Sequence, residues 1–404
     1  MDGIFATPRP ANEPVLGHAP GSSERASLQA EVDRQASDVV EIPCVVDGKR
    51  IHTGNVVEVT MPCDHGHVLA RAHLATPELL QQAVKSGLEA RKDWSALPWQ
   101  ERAAILLRAA DLLAGSWRDR MNASTMLGQA KTCHQAEIDA ACELIDFFRF
   151  NVGYARQILS EQPGSNPGCW NRLDHRGLEG FVLAITPFNF SSIAGNLPTA
   201  PALMGNVCLW KPATTQLHNA WVCHELLEEA GMPPGVINFI PGRGRDVGKV
   251  LLPHPDLAGI HFTGSTGTFQ HMWSTVGANI AGYRGYPRIV GETGGKDFIL
   301  AHPSADAEAL AVAIARGGFE YQGQKCSAAS RIYVPQSLWP QVSEHVAAIL
   351  AQFRMGDVRD FSNFVGAVID QSAWRDHTEY LGIAHETGKV LCGGESDDST
   401  GWFV

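Results

Sequence analysis

Apolar residues follow two different spacings along the chain. Between about residues 76 and 150 the period is helical. Thr76-Pro77-Glu78 reads as N-cap, first-turn proline and first-turn acid, and Leu79, Leu80, Val84 and Leu88 follow on one face. Further helices are predicted over about 99–113 and about 133–150, the latter carrying Ile138, Leu144, Ile145 and Phe148. Ahead of them, residues 1–38 form a polar arm with Pro8, Pro10, Pro14 and Pro20 and a helix-like run over 23–35. A strand is predicted at 41–46, turned by Asp47-Gly48, and another near 55–60.

From residue 179 the pattern alternates. Short apolar runs at 181–185, 207–210, 236–240, 259–262 and 289–290 read as strands. Helical patterns at 217–230, 246–252 and 306–321 separate several of them, the first ended by Gly231 and Pro233. Such alternation predicts an α/β fold, a parallel sheet with helices on both faces. A second unit of the same type begins at Asp297, and residues 401–404 are strand-like. No internal repeat is present. Residues 180–210 carry no charge, but Pro187, Pro198, Pro201, Asn189, Asn196 and Asn206 interrupt them, which excludes a membrane helix.

Composition narrows the function classes. The 404 residues carry a net charge of −11, which argues against nucleic-acid or anionic-membrane binding by bulk charge. With 44% hydrophobic and 19% charged residues the chain is not disordered. Nine cysteines without a C-x-x-C pair fit a reducing compartment. Met1-Asp2-Gly3 opens no signal peptide, and acids within the first 36 residues argue against a transit peptide, so the cytoplasm is the expected location.

Several short constellations could carry chemistry. Cys326 in Gln322-Gly-Gln-Lys-Cys326 follows a helix through a glycine turn, a place for a thiolate nucleophile or for a small buried hydrophobe. Glu292 in Gly291-Glu-Thr-Gly-Gly-Lys296 stands at a strand end, as a base or as a solvated loop acid. Gly264, Ser265, Thr266, Gly267 and Thr268 lie between strand and helix, where a pyrophosphate can approach, or where the chain simply turns. Lys211 follows a buried strand and could bond ribose hydroxyls, or be an ordinary surface lysine. Asn189 in Pro187-Phe-Asn-Phe190 could donate to an oxyanion, or serve a turn. Cys63, His65 and His67 would share one face of an extended chain and could hold zinc, but Pro62 and Gly66 favour a polar loop, and no metal is expected.

The order of these motifs resembles the aldehyde dehydrogenase superfamily over residues 40–404. Within it, Glu13-Pro-Val-Leu-Gly17, Glu143-Leu-Ile-Asp-Phe-Phe-Arg-Phe150, Arg176-Gly-Leu-Glu-Gly-Phe181 and residues 319–328 resemble the stand-alone pyrroline-5-carboxylate dehydrogenase branch. The resemblance implies a Rossmann-like NAD-binding domain at 39–298, with an oligomerisation hairpin at about 162–177, and an incomplete α/β catalytic domain at 299–404. It implies Cys326 as nucleophile, Asn189 with the Cys326 N–H as oxyanion hole, and Glu292 as base for a hydrolytic water. Lys211, the 264–268 turn and Thr186 would hold NAD. Glu143, Phe190 and Ser327 would line the pocket for glutamate γ-semialdehyde. Thr214 stands where many NAD-specific relatives carry an acid, so NADP is not excluded.

Members of this superfamily continue past the equivalent of residue 404. The resemblance therefore implies missing nicotinamide and substrate contacts, an unpaired sheet edge, poor solubility and little or no dehydrogenase activity for 1–404 alone. The complete protein is expected to be a homodimer or larger. The alternative is an inactive fragment that binds only a dinucleotide or a partner.

Overall fold

The computed structural model describes residues 6–404. A seven-stranded sheet organises the chain. Its strands run Arg288–Thr293, Leu257–Gly264, Phe181–Ile185, Val207–Lys211, Ile237–Phe239, Cys44–Val46 and Lys49–Ile51 across the sheet. The first five are parallel, and the last two add antiparallel. Phe181–Ile185 comes first in sequence among the parallel strands. The chain then builds outward on one side of it, returns, and adds Leu257–Gly264 on the other. That reversal is a topological switch point, where the loops leaving two adjacent strands diverge and open a crevice at their C-terminal ends.

The local reasons for these elements are legible. Phe181–Ile185 and Val207–Lys211 are buried at every position, as fits strands covered on both faces. Thr76 Oγ1 accepts from the Leu79 N–H at 3.3 Å and opens the helix Pro77–Ala96. Asp47 and Gly48, both left-handed, turn the hairpin between Cys44–Val46 and Lys49–Ile51. A three-stranded sheet joins Val40–Ile42, Asp64–His73 and Val56–Met61. Asp297–Leu300 and Ala329–Tyr333 form a separate parallel pair, linked across the helix Ala307–Phe319.

Four features differ from the sequence expectation. Residues 63–67 are not a polar loop: Cys63 is buried and the strand Asp64–His73 begins immediately after it. The helix Arg118–Gln129 was not expected. Every residue from Met121 to Gln129 is buried, so it has no polar face to give a helical period. The predicted helix over 133–150 is three pieces: Cys133–Ala136, a π turn Glu137–Cys142, and Glu143–Ser160. Residues 162–177 contain no strand ladder. The segment folds back through side chains instead, Gln162 Oε1 accepting from the Leu173 N–H at 2.9 Å and Asn171 Nδ2 donating to the Gly164 carbonyl at 2.8 Å.

The π turn directs Glu137 inward, fully buried. It accepts from Arg118 Nε at 3.2 Å, Asn122 Nδ2 at 2.8 Å and the Leu16 N–H at 2.8 Å. Arg118 also donates to Glu13 at 2.6 Å, so one buried ion cluster pins the N-terminal arm. Burial raises the Glu137 carboxyl, but hydrogen bonds from His18, Arg118 and the Leu16 N–H outweigh it and hold the group well below the usual range. Its contribution is therefore complete above pH ~4.3, and is lost only as pH falls through the depressed value. Glu137→Gln is expected to cost ~1–3 kcal/mol, because the buried Arg118 keeps Glu13 as its one carboxylate partner and loses the other. Urea unfolding of the variant at pH 7 measures this, and early proteolytic release of the residues before Ser23 should accompany it.

Candidate active site

The switch point opens into a cleft of about 1290 Å³. One wall is the chain leaving Phe181–Ile185: Thr186, Pro187, Phe188 and Asn189. Thr186 is fixed from both sides. Its N–H donates to the Lys211 carbonyl at 3.2 Å, and its hydroxyl accepts from Trp210 Nε1 at 3.1 Å. The opposite wall is the N-terminus of the helix Thr266–Ala278, capped by Ser265 Oγ accepting from the Thr268 N–H. Free amides and the positive end of the helix dipole therefore face the cleft and favour an anion. A Cβ on Gly267 would meet nothing within 4 Å, so this rim is open to a ligand.

Charge in the lining points the same way. Lys211, Arg245, Lys249 and Lys325 line the cleft, against one carboxylate, Asp376. Burial pushes the Lys211 ammonium down to about 8. An anionic ligand would raise it again.

The nucleophile candidate sits on a strained turn. Tyr321 (φ 51°), Gln322 (φ 54°) and Gly323 (φ 67°) are three consecutive left-handed residues after the helix Ala307–Phe319. Only the glycine adopts that backbone freely; each of the others costs ~1–2 kcal/mol. Tethers hold the turn. Gln322 Nε2 donates to the Ala367 carbonyl at 2.7 Å, and Gln324 Oε1 accepts from the Ile369 N–H at 2.9 Å. Asn189 Nδ2 donates to the Gln324 carbonyl at 2.9 Å, which brings the Asn189 amide beside Cys326.

Cys326 lines the cleft half-buried. Burial raises its thiol above the ordinary value, and the negative charges of Glu292 and Asp297 add to this. Glu292 ends on the edge strand Arg288–Thr293, where its carboxylate accepts from Thr263 Oγ1 at 3.4 Å. The following loop presses on the nucleophile: a Cβ at Gly295 would stand 2.7 Å from the Cys326 carbonyl oxygen.

Among the residues singled out from sequence, Thr186, Asn189, Lys211, Gly264, Ser265, Gly267, Thr268 and Cys326 line this one cleft. Thr266 and Glu292 do not, although Ser265, Gly267 and Thr293 beside them do. Glu143, Phe190 and Ser327 also lie outside its lining. Glu143 accepts from Ser192 Oγ at 2.7 Å, and burial raises its carboxyl. Phe190 is buried with its ring over the Lys131 ammonium at 4.0 Å, and Ser327 is exposed. The zinc alternative finds other partners: His65 Nε2 lies 2.9 Å from the Asp398 carbonyl, and His67 Nε2 lies 2.8 Å from that of Ala36. No group of three metal-ligating side chains occurs among the described residues.

Sequence reasoning missed several lining residues. Arg245 and Lys249 are four apart on the helix Gly244–Leu251, a spacing that could have been noticed. Asp376 and His377 come from the helix Gln371–Thr387, which tertiary folding lays along the same cleft, and no local pattern announces them. The buried pair Lys131–Asp139 was also missed, because each residue alone resembles a surface charge.

Site-resolved alkylation by iodoacetamide checks the geometry. The Cys326 rate is expected to rise with pH through a midpoint above ~8.5, since only the thiolate reacts and its formation is disfavoured here. Gly295→Ala is expected to slow labelling of Cys326 by ~10-fold or more while sparing exposed Cys169, because its Cβ displaces the Cys326 backbone.

Comparison with known proteins gives the family. The model of the aldehyde dehydrogenase family matches residues 50–404. A mitochondrial delta-1-pyrroline-5-carboxylate dehydrogenase of Dictyostelium discoideum is 49% identical over 402 residues, 98% of this chain and 72% of that protein. The mitochondrial enzyme of that name from Homo sapiens is 46% identical over 98% of this chain and 70% of its own length. The crystal structure of the Mycobacterium tuberculosis delta-pyrroline-5-carboxylate dehydrogenase bound with NAD superposes with a TM-score of 0.98 at 53% identity. The superposition covers 100% of this chain and 76% of that one. A Thermus 1-pyrroline-5-carboxylate dehydrogenase with bound NAD gives 0.93 at 27% identity, over 99% of this chain and 77% of that one. On the extent of these matches and the shared fold, the chain belongs to the aldehyde dehydrogenase family.

Proposed function

We propose that this chain oxidises L-glutamate γ-semialdehyde, the open form of 1-pyrroline-5-carboxylate, to L-glutamate with NAD as hydride acceptor, a step of proline catabolism. The observation that carries the reading is Cys326 on its tethered turn, beside the Asn189 amide, in a cationic cleft at the switch point. The named relatives above supply the substrate. NAD fits the donor set: the amides at the N-terminus of Thr266–Ala278 suit a pyrophosphate, and the Lys211 ammonium suits ribose hydroxyls. When bound, NAD accepts the hydride.

The chain's own residues do the rest. Cys326 Sγ attacks the aldehyde carbon as thiolate, and the former carbonyl oxygen becomes an oxyanion. Asn189 Nδ2 and the Cys326 N–H donate to that oxygen. Two such donors typically lower a barrier by a few kcal/mol. Loss of hydride from the same carbon leaves a thioester on Cys326. Glu292 takes a proton from water, the water attacks the thioester, and Sγ leaves as thiolate. Aldehyde, NAD and water thus give carboxylate, reduced NAD and protons.

Two further parts of the reading rest on surface and thiol chemistry. Residues 162–177 expose Trp170 and Leu173, which supports contact between copies of the chain, a homodimer or larger. All nine cysteines are unpaired, which supports a reducing compartment such as the cytoplasm. Among the described residues no helix is long and apolar enough to cross a membrane.

The test is reduced NAD formed from pyrroline-5-carboxylate, read by absorbance in a single-turnover format. A single turnover is followed because the resemblance implies little sustained activity for 1–404 alone; reduced NAD approaching one equivalent per chain is expected, and none with Cys326→Ala. Protein that binds NAD but transfers no hydride would contradict the proposal. Affinity for NAD is expected to fall as pH rises through about 8, where free Lys211 loses its proton and the anionic dinucleotide loses a cationic partner. Lys211→Met should bind more weakly and remove that dependence, as titration calorimetry would show.

A further inference from the structure

Three charged side chains, Lys131, Asp139 and Lys325, meet behind the nucleophile; only Lys325 also lines the cleft, and none enters the mechanism above. Lys131 is fully buried, and its Nζ donates to Asp139 Oδ2 at 2.8 Å. The same oxygen lies 3.4 Å from Nζ of Lys325, the residue before Cys326. Lys325 also reaches Glu320 at 3.3 Å. The Lys131 ammonium stands 4.0 Å from the centre of the Phe190 ring and 4.6 Å from that of Tyr321. Phe190 follows Asn189 in the chain, and Tyr321 opens the left-handed turn. One carboxylate oxygen therefore ties the residue before the nucleophile to a cation that supports both sides of the oxyanion site.

The backbone makes this contact at some cost. Asp139 lies in the π turn Glu137–Cys142, and the extra residue of that turn is what brings it inward. Ala130, just before Lys131, is left-handed at φ 55°. A buried ammonium and carboxylate are also expensive to desolvate, and an apolar pair would fill the volume without that penalty. The arrangement is thus poorly explained by stability alone.

We propose that Asp139 and Lys131 are positioning residues: Lys131 fixes the Asp139 carboxylate, which holds Lys325 and with it the peptide that presents the Cys326 N–H and Sγ to the cleft. This rests on Cys326 being the reactive thiol. Other tethers fix Gln324 by its carbonyl and by its side chain. The Lys325 side chain supplies a fixed point next to Cys326 itself. Asp139 lies away from the dinucleotide walls and acts only through Lys325.

The test is site-resolved alkylation of Cys326 by iodoacetamide, with Cys169 in the same molecule as reference, so it needs no turnover. Asp139→Asn is expected to slow Cys326 by ~5-fold or more, Lys325→Gln by a similar factor, and the double variant no further than the slower single. Affinity of Asp139→Asn for NAD should change less than ~2-fold, which general loosening of the fold would not allow. An unchanged Cys326 rate in either single variant, or factors that multiply in the double, would overturn the proposal. If Asp139→Asn does not fold, Lys325→Gln, at the half-buried rim, decides alone: an unchanged rate refutes the tether, a slowed one with Cys169 unaffected supports it. A parent protein that showed this pattern yet transferred no hydride would contradict the dehydrogenase reading and leave this one standing.

Discussion

The structure depends on holding three successive residues in a left-handed turn directly before a thiol. Tyr321 and Gln322 do not adopt that backbone on their own. They are held by distant parts of the chain: Ala367 and Ile369 through the Gln322 and Gln324 side chains, Asn189 through the Gln324 carbonyl, and a buried ring contact with Lys131. The tethers begin on three separate parts of the chain. The turn therefore exists only when the parallel sheet, the helix Arg118–Gln129 with the lysine after it, and the chain around residue 368 are assembled together. Strain concentrated at one place and opposed from several sides is a usual signature of a functional site.

The sheet supplies the second requirement, a place for an anion beside the thiol. Its strand order reverses next to Phe181–Ile185, so the loops carrying Thr186–Asn189 and the cap of Thr266–Ala278 part there. Lysines and an arginine from three elements then face a lining with one carboxylate. The glycines near Cys326 serve close approach: Gly295 lets its loop lie against the Cys326 carbonyl. Fold and chemistry meet at this point, because the crevice that topology creates is the one the nucleophile's turn closes.

Much of this was legible in the residues. Strands covered on both faces announce themselves as short apolar runs, and 181–185 and 207–210 were read nearly to the residue. The cap at Thr76 and the stop at Gly231 have local chemistry, so those helix ends were readable too. What failed had no local signal. The helix Arg118–Gln129 is buried all round from Met121 onward, so its pattern is not amphipathic, and some of its polar side chains find partners inside, Asn219 Nδ2 donating to Ser124 and Thr125. The π turn depends on the Arg118–Glu137 cluster, which only tertiary structure reveals. Cys63 to His67 reads as a polar loop from Pro62 and Gly66, whereas the strand Asp64–His73 runs through Gly66 and backbone carbonyls across the fold meet both histidine rings. Glu143, Phe190 and Ser327 were assigned through the family resemblance, and in this structure they stand behind or beside the cleft.

The account stands on Cys326 forming a covalent acyl intermediate. The most direct measurement is mass spectrometry of the Cys326 peptide, after rapid acid quench of the protein mixed with NAD and pyrroline-5-carboxylate. A glutamyl adduct confined to Cys326, absent without NAD and absent in Cys326→Ala, is the expected result. Reduced NAD appearing with no adduct at any time, or an adduct on another cysteine, would contradict it.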